Sequence, residues 1–127
     1  MPMFERVVQS LRTVRSEIRL PLVARAERRR DLRSHLRDDP GIERAVTLAS
    51  GWLCRAQDCS LSRDGGVARH FSLVSGWSES YPEITGYIIP TMLSVADIRG
   101  EPRLRERARR MVDWLTSIQL PDGGFQA

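Results

Sequence analysis

WLTSIQLPDGGF, residues 114–125, carries the clearest structural signal in the chain. A tryptophan late in an amphipathic segment is followed five residues later by Gln119, and then by the turn sequence Asp122-Gly123-Gly124. WLCRAQDCSLSRDGGV, residues 52–67, has the same order of elements 62 residues earlier, with a longer gap between Gln and Asp. A recurring unit of helix, Gly-rich turn and helix predicts stacked α-hairpins.

The repeated residues have structural roles that physical chemistry predicts. A large aromatic ring late in a helix anchors that helix against a neighbour. A Gln near the helix end can donate to free carbonyls, an Asp can accept from turn N–H groups, and glycines accept left-handed backbone. We therefore expect a structural rather than a catalytic role for the motif residues, which are Trp52, Gln57, Asp64, Gly65, Gly66, Trp114, Gln119, Asp122, Gly123 and Gly124.

Apolar residues at helical spacing predict helices over residues 42–57, 82–98 and 103–118. The second of these is nearly apolar all round, which is typical of a helix buried on most sides, and Pro90 lies inside it. A long polar connection, residues 58–81, separates the first two helices. No useful alternating segment is found, so we expect an all-α chain.

The first 40 residues form a basic segment of their own. They contain 10 Arg against 6 acidic residues, which accounts for the whole net charge of +4. An amphipathic helix is predicted over residues 4–19 and a weaker one over residues 22–38. Residues 1–40 and 41–127 are therefore treated as two domains. The basic helix could dock a partner or an anionic surface, or could be an ordinary solvated face.

Several functional classes are not expected. Residues 1–40 hold one aromatic residue, Phe4, and no nucleic-acid motif is found. The sequence has neither a signal peptide nor a transmembrane segment, so the cytoplasm is the default location. Cys54, Cys59 and His70 follow no zinc-binding spacing, and we expect no metal or other cofactor.

The W-L-x3-Q…D-G-G pattern resembles the QW-type repeat of the terpenoid cyclase and protein prenyltransferase superfamily. The second copy is the closer match. Residues 65–77 and 80–87 (SYPEITGY) are also similar to uncharacterised bacterial toroid proteins that tend to accompany polysaccharide biosynthesis. The resemblance covers residues 41–127. It implies an α/α toroid, in which helices 42–57 and 103–118 are outer and helix 82–98 is inner.

About one and a half hairpins cannot close a ring that normally has about six. The resemblance therefore implies an incomplete toroid: a truncated or N-terminal piece of a longer protein, or a chain whose open helical edge is covered by self-association. Its ligand in the complete ring would be a saccharide or an isoprenoid. The Asp-rich cyclase motif and the prenyltransferase zinc set do not map onto this chain, so catalytic residues remain unassigned.

The candidate ligand-binding residues lie in the connection into the inner helix, which in a toroid faces the central cavity. They are His70, Trp77, Tyr81, Glu83 and Tyr87. Aromatic side chains there could stack on sugar rings or stabilise cations, and Glu83 could act as an acid or base. The alternatives are core packing for Trp77 and Tyr87, a helix first-turn position for Glu83 and a surface loop for His70. A non-enzymatic interaction module remains the alternative function.

Overall fold

The structure is a computed structural model that describes residues 20–33 and 39–126. The helix expected at residues 4–19, and the last five residues of the one expected at 22–38, lie outside the described residues. The chain divides into two units, residues 1–39 and 40–127, and each is treated by itself. In the first unit, helix α1 spans Leu22–Arg33.

The second unit contains three helices and two short strands among its described residues. Helix α2 spans Ile42–Asp58, strand β1 spans Phe71–Ser72 and strand β2 spans Gly76–Trp77. Helix α3 spans Pro82–Arg99 and runs through Pro90, and helix α4 spans Pro102–Ile118. The expectation of a mostly helical chain is confirmed, and each of these three helices ends within one residue of its expected bounds.

The expectation of an all-α chain is wrong at one place. Strands β1 and β2 pair antiparallel, with Phe71 opposite Trp77 and Ser72 opposite Gly76. The turn between them is stabilised by the Ser72 hydroxyl, which accepts from the N–H groups of Val74 and Ser75 at 3.1 Å each. Two-residue strands are too short to give an alternating pattern, which is why the sequence did not indicate them.

The core of the second unit lies where α3 and α4 pack together. Met92 and Ala96 of α3 meet Leu104, Ala108 and Met111 of α4, and Ala56 and Val67 complete the buried cluster. Gly100, in the left-handed conformation with φ +64°, ends α3 and lets the chain turn directly into α4. The two helices therefore form an α-hairpin with a two-residue connection.

Helix α3 is less buried than its apolar sequence predicts. Thr85, Met92 and Ala96 are its buried residues, whereas Tyr87 and Ile98 are largely exposed. Within the described part of the chain, α4 covers one face of α3 and leaves much of the remaining apolar surface open to solvent. The prediction of a helix buried on most sides is therefore wrong for these residues.

The long connection after α2 is held against the helices by its backbone. The N–H of Ala68 donates to the carbonyl of Ala56 near the end of α2, and the N–H of Tyr81 donates to the carbonyl of Val67, both at 3.0 Å. The buried hydroxyl of Thr85 accepts from the N–H of Val67 at 2.9 Å. These bonds fix the path by which the chain enters α3.

The two Gly-rich turns share one hydrogen-bond pattern. Gln57 Nε2 donates to the carbonyl of Gly65 at 2.9 Å, and Gln119 Nε2 donates to the carbonyl of Gly123 at 3.0 Å. In each turn the Asp Oδ1 accepts from the N–H two residues on, at 3.1 Å in the first copy and 2.9 Å in the second. The first glycine of each pair has positive φ, +102° and +87°. The sequence repeat is thus also a repeat of local structure.

The two tryptophans of the repeat have different surroundings. Trp114 is buried, with 8% of its surface exposed, and its ring lies against Gly66. A Cβ placed on Gly66 would approach Trp114 Cε3 to 2.6 Å and Ser80 Cβ to 2.7 Å. Trp52, in contrast, is 45% exposed, and its ring contacts Phe71 and Trp77 instead of a glycine turn. The expected burial of the anchor is therefore found for Trp114 and is wrong for Trp52.

Gly66→Ala tests the contact with Trp114. The added methyl group has no room, so we expect the free energy of unfolding to fall by about 1–3 kcal/mol. Urea unfolding followed by circular dichroism measures the change. Gly86→Ala is the matched control, since nothing lies within 4 Å of a Cβ there and the site is helical, so it should gain about 0.5–1 kcal/mol. Equal effects of the two substitutions would contradict the packing described.

Candidate functional site

A groove lies where the start of α3 meets the end of α4. Its volume is about 470 Å3, and we name it the Tyr87 groove. It brings together three of the five residues expected from the sequence to bind a ligand, and the C-terminal segment closes one side. Its lining consists of Tyr81, Pro82, Glu83, Gly86, Tyr87, Leu115, Phe125 and Gln126.

The helix geometry sets the positions of the groove side chains. Glu83 and Tyr87 are four residues apart in α3 and therefore share one helix face. Tyr81 is the N-cap residue of α3, with extended backbone at φ −130° and ψ 125°. Tyr87 is 72% exposed, so the core-packing alternative does not apply to it. Glu83 is exposed in the first turn of the helix, where a carboxylate also suits the helix dipole.

The groove offers binding chemistry rather than a catalytic pair. Among the described residues that line it, Glu83 is the one carboxylate. Hydrolysis of a glycosidic bond normally needs two carboxyl groups on opposite sides of the bond. Two tyrosines and Phe125 supply aromatic faces, and the amide of Gln126 can both donate and accept hydrogen bonds. These groups can hold a ligand that is partly apolar and partly hydroxylated.

A second, more polar groove adjoins the first at Tyr81. Its volume is about 600 Å3, and it is lined by residues of the connection and the end of α4, including His70, Glu79 and Trp114. The guanidinium of Arg69 lies over the ring of Tyr81, 4.8 Å from its centroid. His70 is exposed in the loop before β1, as the surface-loop alternative expects. His70 therefore lies near the Tyr87 groove but does not line it.

Trp77 lies apart from both grooves. Its ring centroid is 4.8 Å from that of Trp52 and 4.9 Å from that of Phe71. It is half-buried and packs against the core cluster, as the core-packing alternative expects. The structure therefore divides the five candidate residues among the Tyr87 groove, its polar neighbour and this aromatic cluster.

Cys54 is half-buried and Cys59 is exposed, and both are free thiols. Within residues 20–33 and 39–126, no three His, Cys, Asp or Glu side chains come together as a possible metal site. In the same part of the chain, no helix combines the length and apolar character needed to cross a bilayer.

No family model, curated protein or solved structure matches the chain. The site is therefore defined by its own geometry. Sequence reasoning missed Leu115, Phe125 and Gln126 as groove residues. They are distant from Tyr87 along the chain and reach it through the packing of α4 on α3. Of these three, Phe125 is the residue that a sequence motif marks, because it directly follows the second Gly-Gly pair.

A partly buried polar junction joins α2 to α4. The amide of Gln57, which is buried, donates to the carbonyl of Arg107 at 3.2 Å as well as to the first turn, and its Oε1 accepts from Arg107 Nη1 at 3.1 Å. Arg107 also binds Asp58 through two N–H···O bonds of 2.7 Å. These hydrogen bonds hold the pKa of Asp58 below its ordinary value, although partial burial acts to raise it.

Asp58→Asn tests this junction through pH. Because the pKa of Asp58 is lower in the folded state, its stabilisation is present above the ordinary value of 3.8 and is lost as pH falls through the folded-state pKa. We expect the variant to lose on the order of 1 kcal/mol at pH 7, since Asp58 is about half exposed. The loss should shrink as the pH falls below 3.8. Urea unfolding across this pH range measures it.

Asp97→Asn is the matched control, because the Asp97–Arg105 pair is exposed on both sides. We expect it to change stability less than Asp58→Asn does. A loss at Asp58 that is independent of pH, or no larger than that at Asp97, would show that the two-bond pairing with Arg107 does not stabilise the fold.

Proposed function

We propose that this chain is a helical-hairpin repeat protein of the α/α-toroid kind that binds a saccharide in the Tyr87 groove. The observation that carries the proposal is the 72% exposed ring of Tyr87 beside Glu83, in a groove that also contains Tyr81 and Phe125. The toroid assignment rests on the repeated Trp–Gln–Asp-Gly-Gly unit and on the hairpin of α3 and α4. No reaction is proposed for the chain.

The chemistry of the groove suits a sugar ring. The C–H faces of a pyranose pack on aromatic rings, while its hydroxyl groups donate to carboxylates and amides. Tyr87 would supply the aromatic platform, and Glu83 would accept hydrogen bonds from vicinal hydroxyls. An isoprenoid, the other ligand class considered, would use the Tyr87 ring and the apolar walls around Leu115 and Phe125 and would gain nothing from the Glu83 carboxylate.

A titration of the 15N-labelled protein with oligosaccharides, followed by NMR, tests the proposal. We expect the resonances of residues 81–87 and 125–126 to move. Tyr87→Ala should weaken binding about five- to thirtyfold, since an aromatic contact that the ligand buries contributes roughly 1–2 kcal/mol. Glu83→Gln should also weaken it. Ile98→Ala, an exposed apolar residue at the other end of α3, is the control and should leave binding unchanged.

The proposal fails if no oligosaccharide moves the groove resonances. Farnesol is included as an isoprenoid probe. Binding of farnesol that depends on Tyr87 but not on Glu83 would replace the saccharide by the isoprenoid alternative.

The basic N-terminal segment supports a second candidate function, binding to an anionic surface. In α1, Arg29, Arg30 and Arg33 are exposed within a single turn and a half of helix. Each arginine near a membrane rich in acidic lipids contributes about 1 kcal/mol of attraction. This electrostatic attraction would be weakened by salt.

Co-sedimentation with phosphatidylserine vesicles tests this candidate. Arg29→Glu combined with Arg33→Glu should reduce the bound fraction strongly at low salt, because two attractive charges become repulsive. Arg103→Glu combined with Arg109→Glu, at exposed positions of α4, provides the matched charge change elsewhere. Equal losses for both pairs, or binding that salt does not weaken, would remove the candidate.

A further inference from the structure

The first Gly-rich turn is covered by α4, and the second is bare as far as residues 20–33 and 39–126 show. At Gly66 the ring of Trp114 fills the space that a Cβ would need. At Gly124 the nearest atoms to a Cβ belong to Asp122 of the same turn, and at Gly123 the nearest is Gln119 Nε2, at 4.0 Å. Gly123 needs its positive φ, but Gly124 has neither a left-handed backbone nor, among the described residues, a packed neighbour that excludes a side chain.

In the sequence repeat, α2 is the counterpart of α4, and its corresponding face is exposed. Three positions of α4 meet the first turn and the end of α2: Arg107, Arg110 and Trp114. At the repeat spacing of 62 residues, the equivalent positions in α2 are Ala45, Leu48 and Trp52. All three are exposed, with 58% of Leu48 accessible to solvent. Helix α2 therefore presents the docking stripe of the repeat, and no turn of the described residues packs on it.

The bare stripe and the bare turn are also chemically matched. In the covered junction, Arg107 pairs with Asp58, the residue that follows Gln57. At the same spacing Ala45 replaces Arg107, and Leu120, the residue that follows Gln119, replaces Asp58. Both sides of the ion pair have thus become apolar together, and both replacements are exposed. The apolar stripe on α2 is therefore complementary to the apolar edge of the second turn at Leu120. In the same way, the basic stripe on α4 is complementary to the acidic Asp58 beside the first turn.

We propose that a second copy of this chain occupies the bare turn. The α2 stripe of one copy, Ala45, Leu48 and Trp52, docks on residues 119–124 of the next copy in the way that α4 docks on residues 57–66 within the chain. The exposed part of Trp52 lies over Gly124, which requires the guanidinium of Arg55, now 5.7 Å from the ring centroid, to swing aside. Gln119 Nε2 gains the backbone carbonyl of Ala45 as a second acceptor. The contact uses two different surfaces, so it joins copies head to tail.

Two single substitutions each disable one side of this contact. Gly124→Ala places a methyl group where the docking ring must lie, and Leu48→Glu puts a charge into the apolar stripe. Both positions are exposed among the described residues, and at Gly124 only the Asp122 carboxylate, 3.2 Å from the added Cβ, must shift slightly. The fold should therefore remain intact, which circular dichroism and thermal unfolding check. Leu61→Glu, at a leucine of the connection that is 70% exposed against 58% for Leu48, is the matched control.

Sedimentation velocity over a range of protein concentrations gives the decisive readout. We expect the wild-type chain and Leu61→Glu to associate with increasing concentration, and each of the two single variants to remain monomeric. An equimolar mixture of Gly124→Ala and Leu48→Glu should form dimers that do not grow further, because the intact turn of the second variant meets the intact stripe of the first.

Three results would overturn the proposal. The wild-type chain could remain a monomer at every concentration, which would leave the turn without a second copy. The single variants could associate as well as the wild type, which would place the contact elsewhere. The mixture could fail to restore dimers when the single variants are monomeric, which would indicate a symmetric contact in which like surfaces meet.

Discussion

The contact between the Trp114 ring and Gly66 is the constraint on which the second unit depends. The glycine brings the first turn within van der Waals distance of α4, because any side chain at residue 66 would meet the indole. That approach brings Gln57 within hydrogen-bond distance of the Arg107 carbonyl and lets Asp58 pair with Arg107. The junction in turn holds α4 against α3, whose meeting point forms the Tyr87 groove. A local packing requirement thus sets the position of a surface more than ten residues away in sequence.

The repeat predicted more of the local structure than of the tertiary environment. The Gln-to-turn and Asp-to-turn bonds depend on residues within eight positions of one another, and both copies form them. The surroundings of the tryptophans depend on which other elements are nearby, and one sequence motif cannot contain that information. Trp114 packs on Gly66 of the first Gly-rich turn, whereas Trp52 packs against Phe71 and Trp77.

Only part of the groove was predicted, because the sequence indicates local relations between residues better than tertiary ones. Glu83 and Tyr87 were grouped because they lie close in sequence at the start of the inner helix, and their four-residue spacing places them on one face of α3. Trp77 was grouped with them because it is close in sequence, but the β1–β2 hairpin directs it towards Trp52. Leu115 and Phe125 complete the groove through the packing of α4, which no periodic pattern reveals. Closeness in sequence therefore predicted which side chains share the groove when they lie in one helix, but not when a turn or hairpin separates them.

The most direct test of the central contact is an NMR measurement on the wild-type protein. If the indole of Trp114 lies on Gly66, the α protons of Gly66 should show nuclear Overhauser effects to the Hε3 and Hζ3 protons of the ring, and a ring-current shift away from random-coil values. The α protons of Gly124 provide the internal reference at low protein concentration, because, leaving aside the neighbouring Phe125, no aromatic atom of the described residues lies within 4 Å of a Cβ placed there. Gly66 α protons at random-coil shifts, with no Overhauser effect to Trp114, would contradict the account.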